Sequence, residues 1–196
     1  MTSNVTPSAL PDPPRTPKAE ATRQRLLDLA ARSFIDRGYE AVSLRDLALE
    51  AGVTKGAIYG HFRSKGQLLV EVIRTELESR DAALDLEVAA ADPSAMFDLF
   101  IHPGSRELRM LQIDAAAASR HDADVAAGMD EIHRVRNAWI VDSLGGVADA
   151  ETIGFVINAL SAGVGAQESH DRDLPEVDAW RRIMGRMFAR VARELP

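Results

Sequence analysis

Residues 43–65 read SLRDLALEAGVTKGAIYGHFRSK, and this stretch decides the fold. Ser43 can cap a helix that begins at Leu44, because a serine hydroxyl accepts the N–H groups that a first helical turn leaves unbonded. Gly52 can adopt the left-handed conformation that ends this helix, and Thr54 can cap a second one two residues later. Two short helices joined by a turn that contains glycine predict a helix-turn-helix.

The second of these helices has an unusual outer face. Gly56 and Gly60 lie opposite the apolar Ile58 and Phe62, although each glycine costs a helix roughly 1 kcal/mol relative to alanine. A bare face lets the backbone approach another surface closely, and donors suited to phosphates and base edges surround it. The pattern predicts a DNA-binding face, with a plain solvated helix as the alternative. The surrounding donors are Thr54, Lys55, Tyr59, His61 and Lys65.

This region resembles the N-terminal domain of the tetracycline-repressor (TetR) family of bacterial transcription regulators. The matching residues are Ala30, Phe34, Gly38, Tyr39, Val42, Ser43, Leu47, Ala48, Ala51, Gly52, Val53, Thr54, Gly56, Ala57, Ile58, Tyr59, His61, Phe62, Ser64, Lys65 and Leu68. The resemblance implies that Lys55, Gly56, Ala57 and Gly60 lie in or beside the major groove. It implies phosphate contacts for Thr54, Tyr59, His61 and Lys65.

Charge is divided unevenly along the chain. The formal net charge of −7 argues, taken alone, against a nucleic-acid partner. Residues 17–75, however, hold 10 Lys and Arg residues against 7 Asp and Glu, whereas residues 76–196 hold 12 against 22. A modestly basic helix-turn-helix segment joined to an acidic remainder, which DNA repels, would orient the protein on a duplex.

The remainder of the chain predicts an all-α protein of about nine helices. Between residues 18 and 195 the only prolines are Pro93, Pro103 and Pro175, and no segment alternates apolar and polar residues as a strand would. We expect a three-helix DNA-binding domain at residues 18–65 and a helical bundle at residues 66–196. One helix of the bundle would begin at Asp92 and Pro93. The proline-rich residues 1–17 are expected to form a disordered tail.

The last two predicted helices carry more apolar surface than one neighbour needs. The first of them interleaves small residues, among them Ala159, Ala162 and Gly163, that let another helix approach closely. Two such helices from each of two subunits would form a twofold interface, which the resemblance also implies. Closure of the monomer core is the alternative. The candidate interface residues are Ile153, Val156, Ile157, Leu160, Val164, Trp180, Met184, Met187, Phe188 and Val191.

A small-molecule site among the middle helices is implied by the resemblance. Its candidate residues combine aromatic walls with a few polar groups, as ligand sites do, although each could also be ordinary core. They are Phe97, Phe100, Met110, His133, Asn137 and Trp139. The resemblance further implies that the helix following Ser64 carries ligand-driven motion into the DNA-binding part.

Signals for catalysis are weak. His121, Asp122 and Asp124 could suggest a metal site, as could the step from Asp130 to His133. Helix capping explains the two aspartates of the first group, and a di-metal bundle needs the carboxylate-to-histidine step twice. The sequence contains no glycine-rich phosphate loop, nucleophile elbow or cysteine. We therefore expect no enzymatic activity, cofactor or metal, and a helical metalloenzyme is the least favoured alternative.

These features predict a cytoplasmic, homodimeric repressor that binds a palindromic operator in double-stranded DNA and is released by a small-molecule effector. The lack of cysteine fits a reducing compartment, and neither a signal peptide nor a membrane span is expected. A DNA-binding regulator without a ligand is the alternative. A cavity on the order of several hundred Å³ in the bundle would favour the first reading, and a packed bundle the second.

Overall fold

The structure is a computed structural model that describes residues 16–82, 103–143, 150–170 and 172–194. Within these ranges the chain forms eight α-helices and one 3-10 turn, without a strand, which confirms the all-helical prediction. The helices are α1 (Pro17–Arg37), α2 (Leu44–Glu50), α3 (Lys55–His61), α4 (Lys65–Ala82), α5 (Arg106–Ala118), α6 (Ala123–Ser143), α7 (Ala150–Glu168) and α8 (Val177–Glu194). The helix expected at Asp92 and Pro93 and nearly all of the proline-rich tail lie outside the described residues.

We call α1–α3 the head. The caps that the sequence predicts for its two short helices are present: Ser43 Oγ accepts the Asp46 N–H at 3.1 Å, and Thr54 Oγ1 accepts the Ala57 N–H at 3.1 Å. Gly52 has φ 67°, in the left-handed region that side chains disfavour, and it turns the chain from α2 into α3. The local signals in residues 43–65 therefore set the geometry of the head.

A single apolar core runs from the head into the rest of the chain. Its members are buried and come from α1 (Leu26, Leu27, Ala30, Phe34), α2 (Leu47, Ala48), α3 (Ile58), the turn after α3 (Phe62) and α4 (Leu68, Leu69, Ile73). Arg23 of α1 adds an ion pair between α1 and α4, although the helical pattern alone places Arg23 towards solvent. Its guanidinium pairs with Glu71 of α4 and lies over the Phe62 ring. The head is thus joined to α4 by both burial and charge.

We call α5–α8 the body, and α4 connects it to the head. Helix α4 packs extensively against α6, and Gly128 of α6 lies against the Val70 side chain of α4. A Cβ added at Gly128 would lie 2.5 Å from Val70 Cγ1, a distance that no side chain tolerates. Helix α6 is therefore held firmly against the helix that connects the head to the body.

None of the described helices combines the length and the apolar character that crossing a bilayer requires.

The close approach of α4 and α6 predicts a difference between two glycine substitutions. Gly128→Ala should lower the free energy of unfolding by about 1–3 kcal/mol, because the new methyl group overlaps the buried, stiff Val70. Gly60→Ala makes the same change in α3, where an added Cβ meets nothing within 4 Å. It should gain up to about 1 kcal/mol of helix stability.

Urea unfolding followed by circular dichroism, at one protein concentration for both variants and the parent, checks this pair. A Gly128→Ala protein as stable as its parent would show that α4 and α6 do not pack as described.

Candidate functional site

Helix α3 is anchored to the head along one side only. Ile58 is fully buried and Phe62 almost so, and both belong to the same core as Leu47 and Ala48 of α2. On a helix of 3.6 residues per turn, the opposite side must then point away from the protein. Ile58 and Phe62 thereby determine which face of α3 points away from the protein.

The outward face of α3 is bare. A Cβ added at Gly60 would meet no atom within 4 Å, and one added at Gly56 would meet only Thr54 Oγ1, at 3.8 Å. Gly56 and Gly60 are exposed, as are Thr54 and Lys55, while the predicted groove residue Ala57 is half-buried. The glycines therefore do not make room for another part of the described chain, and a close external surface remains the physical reason for them.

Hydrogen-bond donors border the bare face. The Tyr59 side chain is 47% exposed, and the Lys55 ammonium lies 5.6 Å from the centroid of its ring. This cation–π contact holds a positive charge and a phenol together at the edge of the face. His61 is half-buried beside Phe62 and has partners within the protein. Thr54, Lys55 and Tyr59 are thus the most accessible of the predicted DNA-binding side chains.

Lys65 differs from the other predicted phosphate ligands because its ammonium has partners inside the protein. It donates to the Tyr39 carbonyl at 3.0 Å and lies 4.0 Å from the centroid of the Tyr39 ring. This contact ties the start of α4 to the loop between α1 and α2. A phosphate contact by Lys65 stays a prediction. The ammonium would make it while it lies beside Tyr39.

Arg25 of α1 is a candidate that the sequence pattern did not reveal. Its guanidinium donates to the Ala51 carbonyl at 3.1 Å, which places an exposed cation at the turn between α2 and α3. The contact joins residues that are far apart in sequence, so helical periodicity gives no sign of it. Arg25 therefore adds positive charge close to the predicted DNA-binding face.

Tyr39 connects the head to the body. Its backbone N–H donates to Asp114 Oδ2 at 2.7 Å, and its hydroxyl donates to Asp122 Oδ2 at 3.1 Å. Burial, together with the hydrogen bond to Asp122, raises the pKa of the Tyr39 phenol above its usual value. The phenol therefore remains protonated and keeps donating to Asp122 across the physiological pH range.

Asp122 also begins α6. Its Oδ1 accepts the N–H groups of Asp124 at 3.0 Å and Val125 at 3.2 Å, and the Asp124 carboxylate in turn accepts the Ser64 hydroxyl. A Cβ at Gly66 would come within 2.7 Å of the Asp122 carboxylate, so α4 lies directly beneath it. The capping role inferred for Asp122 is confirmed, and one carboxylate links the first turn of α6 to the head.

Acidic and histidine residues do not assemble into a metal site in the part of the chain that the structure describes. No group of three or more His, Asp or Glu side chains there has the geometry to hold an ion. His121 lies instead near Glu40, with Nε2 3.4 Å from its carboxylate.

The body contains a cavity of about 160 Å³ between α5, α6 and α7. Its walls mix aliphatic and uncharged polar groups with one buried cation, Arg109, whose partner Glu168 is not among the lining residues. Arg109 is 2% exposed and Glu168 5% exposed, and their side chains form a bidentate pair at 2.5 and 2.6 Å. The lining residues are Arg109, Gln112, Ile113, Ala116, Ser119, Met129, His133, Asn158, Ser161 and Ala162.

Only part of the predicted ligand site meets this cavity. His133 lines it, and Asn137 accepts a hydrogen bond at 2.6 Å from the lining residue Asn158. Met110 and Trp139 do not line it, and Phe97 and Phe100 lie outside the described residues. The cavity is also smaller than the several hundred Å³ expected of an effector site.

Exposed apolar side chains mark α7 and α8. Phe155 is 69% exposed, Ile183 56% and Met187 55%, and Val156 is exposed as well. The predicted interface residues Leu160, Val164 and Trp180 are half-buried. Met184 is buried inside its own chain, so it does not belong to the exposed surface. The side chains of Ile153, Ile157, Phe188 and Val191 lie outside the description. Phe155 was not among the predicted interface residues.

Residues 26–72 match the model of a family described as bacterial regulatory proteins, tetR family. The chain is similar to the HTH-type transcriptional regulator AcrR of Shigella flexneri, at 40% identity over 89 residues, 43% of this chain and 41% of AcrR. It is also similar to the HTH-type transcriptional repressor KstR2 of Mycolicibacterium smegmatis, at 47% identity over 66 residues, 33% of this chain and 32% of KstR2. The chain thus spans less than half the length of these curated relatives.

Solved structures extend the likeness to the body. A transcriptional regulator from Rhodococcus sp. Rha1 superposes with a TM-score of 0.67 at 20% identity, over 89% of this chain and 99% of that one. A TetR family regulator from Agrobacterium tumefaciens gives 0.64 at 20% identity, over 86% and 98%. At such identities the likeness concerns the fold alone.

The contacts of Asp122 predict that it matters more than its neighbours on α6. Asp122→Ala removes the acceptor for the Tyr39 hydroxyl and for two N–H groups of the first turn, so it should cost about 2 kcal/mol of stability. Asp130→Ala deletes an exposed carboxylate from the same helix and should change stability by less than about 0.5 kcal/mol.

Urea unfolding of the two variants at pH 7 compares them directly. Equal midpoints for Asp122→Ala and Asp130→Ala would contradict the role given to Asp122.

Proposed function

We propose that the chain belongs to the tetR family of bacterial regulatory proteins, whose model residues 26–72 match, and that it is a cytoplasmic transcriptional repressor that binds a palindromic operator as a homodimer. Residues 18–65 form the DNA-binding domain, and residues 66–196 bind a small-molecule effector and dimerise. The sense of regulation is supported by KstR2, which is described as a repressor. This function requires no catalysis, cofactor or metal.

The bare outer face of α3 is the observation that carries this proposal. Lys55 and Tyr59 stand beside two exposed glycines whose missing side chains leave the backbone open. A recognition helix in the major groove needs this combination, because base edges are read at short range while cations and hydroxyls hold phosphates. We assign base contacts to Lys55, Gly56, Ala57 and Gly60, and phosphate contacts to Thr54, Tyr59, His61 and Lys65.

Dimerisation is supported by the exposed apolar surface of α7 and α8. Phe155, Val156, Ile183 and Met187 would lose contact with water if two subunits joined these helices in a four-helix interface. A twofold axis then relates the two heads. Their recognition helices would enter major grooves about 34 Å apart, or a multiple of that distance.

Release of the operator by an effector is supported by α6, because this helix runs from the cavity to the contact with the head. Met129 and His133 of this helix line the cavity, and Asp122 at its first turn holds Tyr39 of the head. A ligand that shifted α6 would shift Asp122 with it, and the heads of the dimer would no longer match the spacing of the operator. Helix α4, pressed against α6 at Gly66 and Gly128, would move as part of the same unit.

The modest volume of the cavity favours a second candidate function, a DNA-binding regulator without a small-molecule effector. At about 160 Å³ it lies below the usual range of roughly 300–1,000 Å³ for ligand pockets. Operator binding is common to both candidates. They differ in their response to a bacterial metabolite extract from which protein has been removed. The extract should release the protein from the operator only if the protein has a small-molecule effector.

Selection of genomic fragments by the purified protein, followed by footprinting, tests the proposed function. We expect one inverted repeat to be enriched, with protection of two major-groove segments on one side of the duplex. Enrichment of no fragment, or of sequences without twofold symmetry, would contradict a dimeric operator-binding protein.

Variants of α3 should separate affinity from sequence preference. Tyr59→Phe removes one phosphate donor, so it should weaken binding to all sequences alike and lower the salt slope by about 1. Lys55→Ala should relax the preference at one operator position, at a cost of about 1–3 kcal/mol for the preferred base. Arg134→Ala removes an exposed charge from α6, far along the chain from α3, and should leave operator binding unchanged.

Fluorescence anisotropy with the operator and its single-base variants, at several salt concentrations, gives these values. If Lys55→Ala weakens every sequence equally, the assignment of a base contact to Lys55 is wrong.

If α7 and α8 form the dimer interface, a charged residue introduced at one of their exposed apolar positions should break the dimer. Phe155→Glu should convert the dimer to monomers, because the charge would be buried between the subunits without a partner. Val135→Glu places the same charge at an exposed apolar residue of α6, outside the proposed interface, and should leave the dimer intact. Sedimentation velocity reports both masses, and a dimeric Phe155→Glu protein would rule out this surface.

A further inference from the structure

The buried ion pair determines what the cavity can accept. Arg109 and Glu168 are both nearly inaccessible, and their bidentate contact joins Nε to Oε2 at 2.5 Å and Nη2 to Oε1 at 2.6 Å. Each charge is compensated by the other. An anion that bound Arg109 would have to displace the Glu168 carboxylate, which would then be buried without its partner. A cation in the cavity would meet the Arg109 guanidinium and no carboxylate, because no Asp or Glu is among the lining residues. Both cases carry a large penalty beside a buried charge.

The other polar groups of the cavity are uncharged. His133 is exposed at the cavity mouth, yet desolvation of its ring, assisted by Arg136 and opposed by Asp130, lowers its pKa below the usual value near 6.5. Its imidazole is therefore neutral at pH 7. Gln112 and Ser161 also line the cavity, which places a side-chain amide and a hydroxyl in its wall.

The size and the apolar walls of the cavity limit the ligand further. Ile113, Ala116 and Met129 contribute aliphatic surface to a volume of about 160 Å³. A protein cavity of about 150 Å³ accommodates benzene. The space therefore suits one ring, or an aliphatic body of equal size, with a single polar substituent.

We propose, resting on the function inferred above, that the effector is a small uncharged molecule with one hydrogen-bonding group on an apolar body. It lies between α5, α6 and α7, and its polar group bonds Gln112 or Ser161. Arg109 excludes anions of the same size because Glu168 already occupies its guanidinium, and it excludes cations because no lining carboxylate offsets its charge.

A matched set of probes tests this inference: benzyl alcohol, benzoate and benzylamine share one ring and differ in charge. Binding to the full chain at pH 7, measured by ligand-observed NMR, should be at least tenfold tighter for benzyl alcohol than for either ion. Ala116→Phe, which fills the cavity, should abolish that binding. Equal or tighter binding of an ion, or no binding of benzyl alcohol, would overturn the proposal.

Removal of one charge should reverse the selectivity. Glu168→Gln leaves the Arg109 guanidinium without its carboxylate, so the variant should bind benzoate at least tenfold better than the parent does. Retained preference for benzyl alcohol would contradict the exclusion mechanism. If Glu168→Gln does not fold, the double variant Arg109→Met, Glu168→Met decides the question: it restores neutrality and should keep the preference for benzyl alcohol, and loss of that preference would contradict the proposal.

Operator binding measured on the same samples separates this inference from the proposed function. A protein that binds its operator but prefers an ion contradicts only the class of effector. A protein that binds no operator contradicts the proposed function itself.

Discussion

The packing of Ile58 and Phe62 into the head is the interaction on which the rest of the structure depends. These two side chains fix one side of α3, and the glycines opposite them are left without contacts in the described chain. A short helix with two glycines would be marginal alone, because it gives up propensity without gaining packing on that side. Its stability comes from the core, and its exposed face is thereby free to serve binding.

A second constraint joins this face to the body. Tyr39 donates to Asp122, and the same carboxylate caps α6, so the loop before α2 and the start of α6 cannot move independently. Helix α6 continues from there past Gly128, which leaves no room for relative sliding against α4, to His133 at the cavity. The cavity wall and the contact that holds the head thus lie on one helix, through which the proposed effector and the proposed operator would be coupled.

The sequence predicts well what is decided within a few residues. The caps at Ser43 and Thr54 and the turn at Gly52 are local, and each is found in the structure. Contacts between distant segments leave no periodic signal. The pair of Arg109 with Glu168 joins residues 59 positions apart, and Arg109 falls within an apolar stripe of α5, where sequence reasoning expects core. The same limit explains why the helical pattern did not distinguish the exposed Phe155 from the buried Met184.

The most direct test of the proposed dimer measures the distance between its two copies of α3 on operator DNA. The chain has no cysteine, so Arg63→Cys introduces a single exposed site just after α3 for a nitroxide label. Pulsed electron paramagnetic resonance on the operator complex should give one narrow distance distribution that matches two major grooves about one turn, ~34 Å, or a multiple of it, apart on the same side of the duplex. A broad distribution, or a single distance that no pair of such grooves can span, would contradict the account.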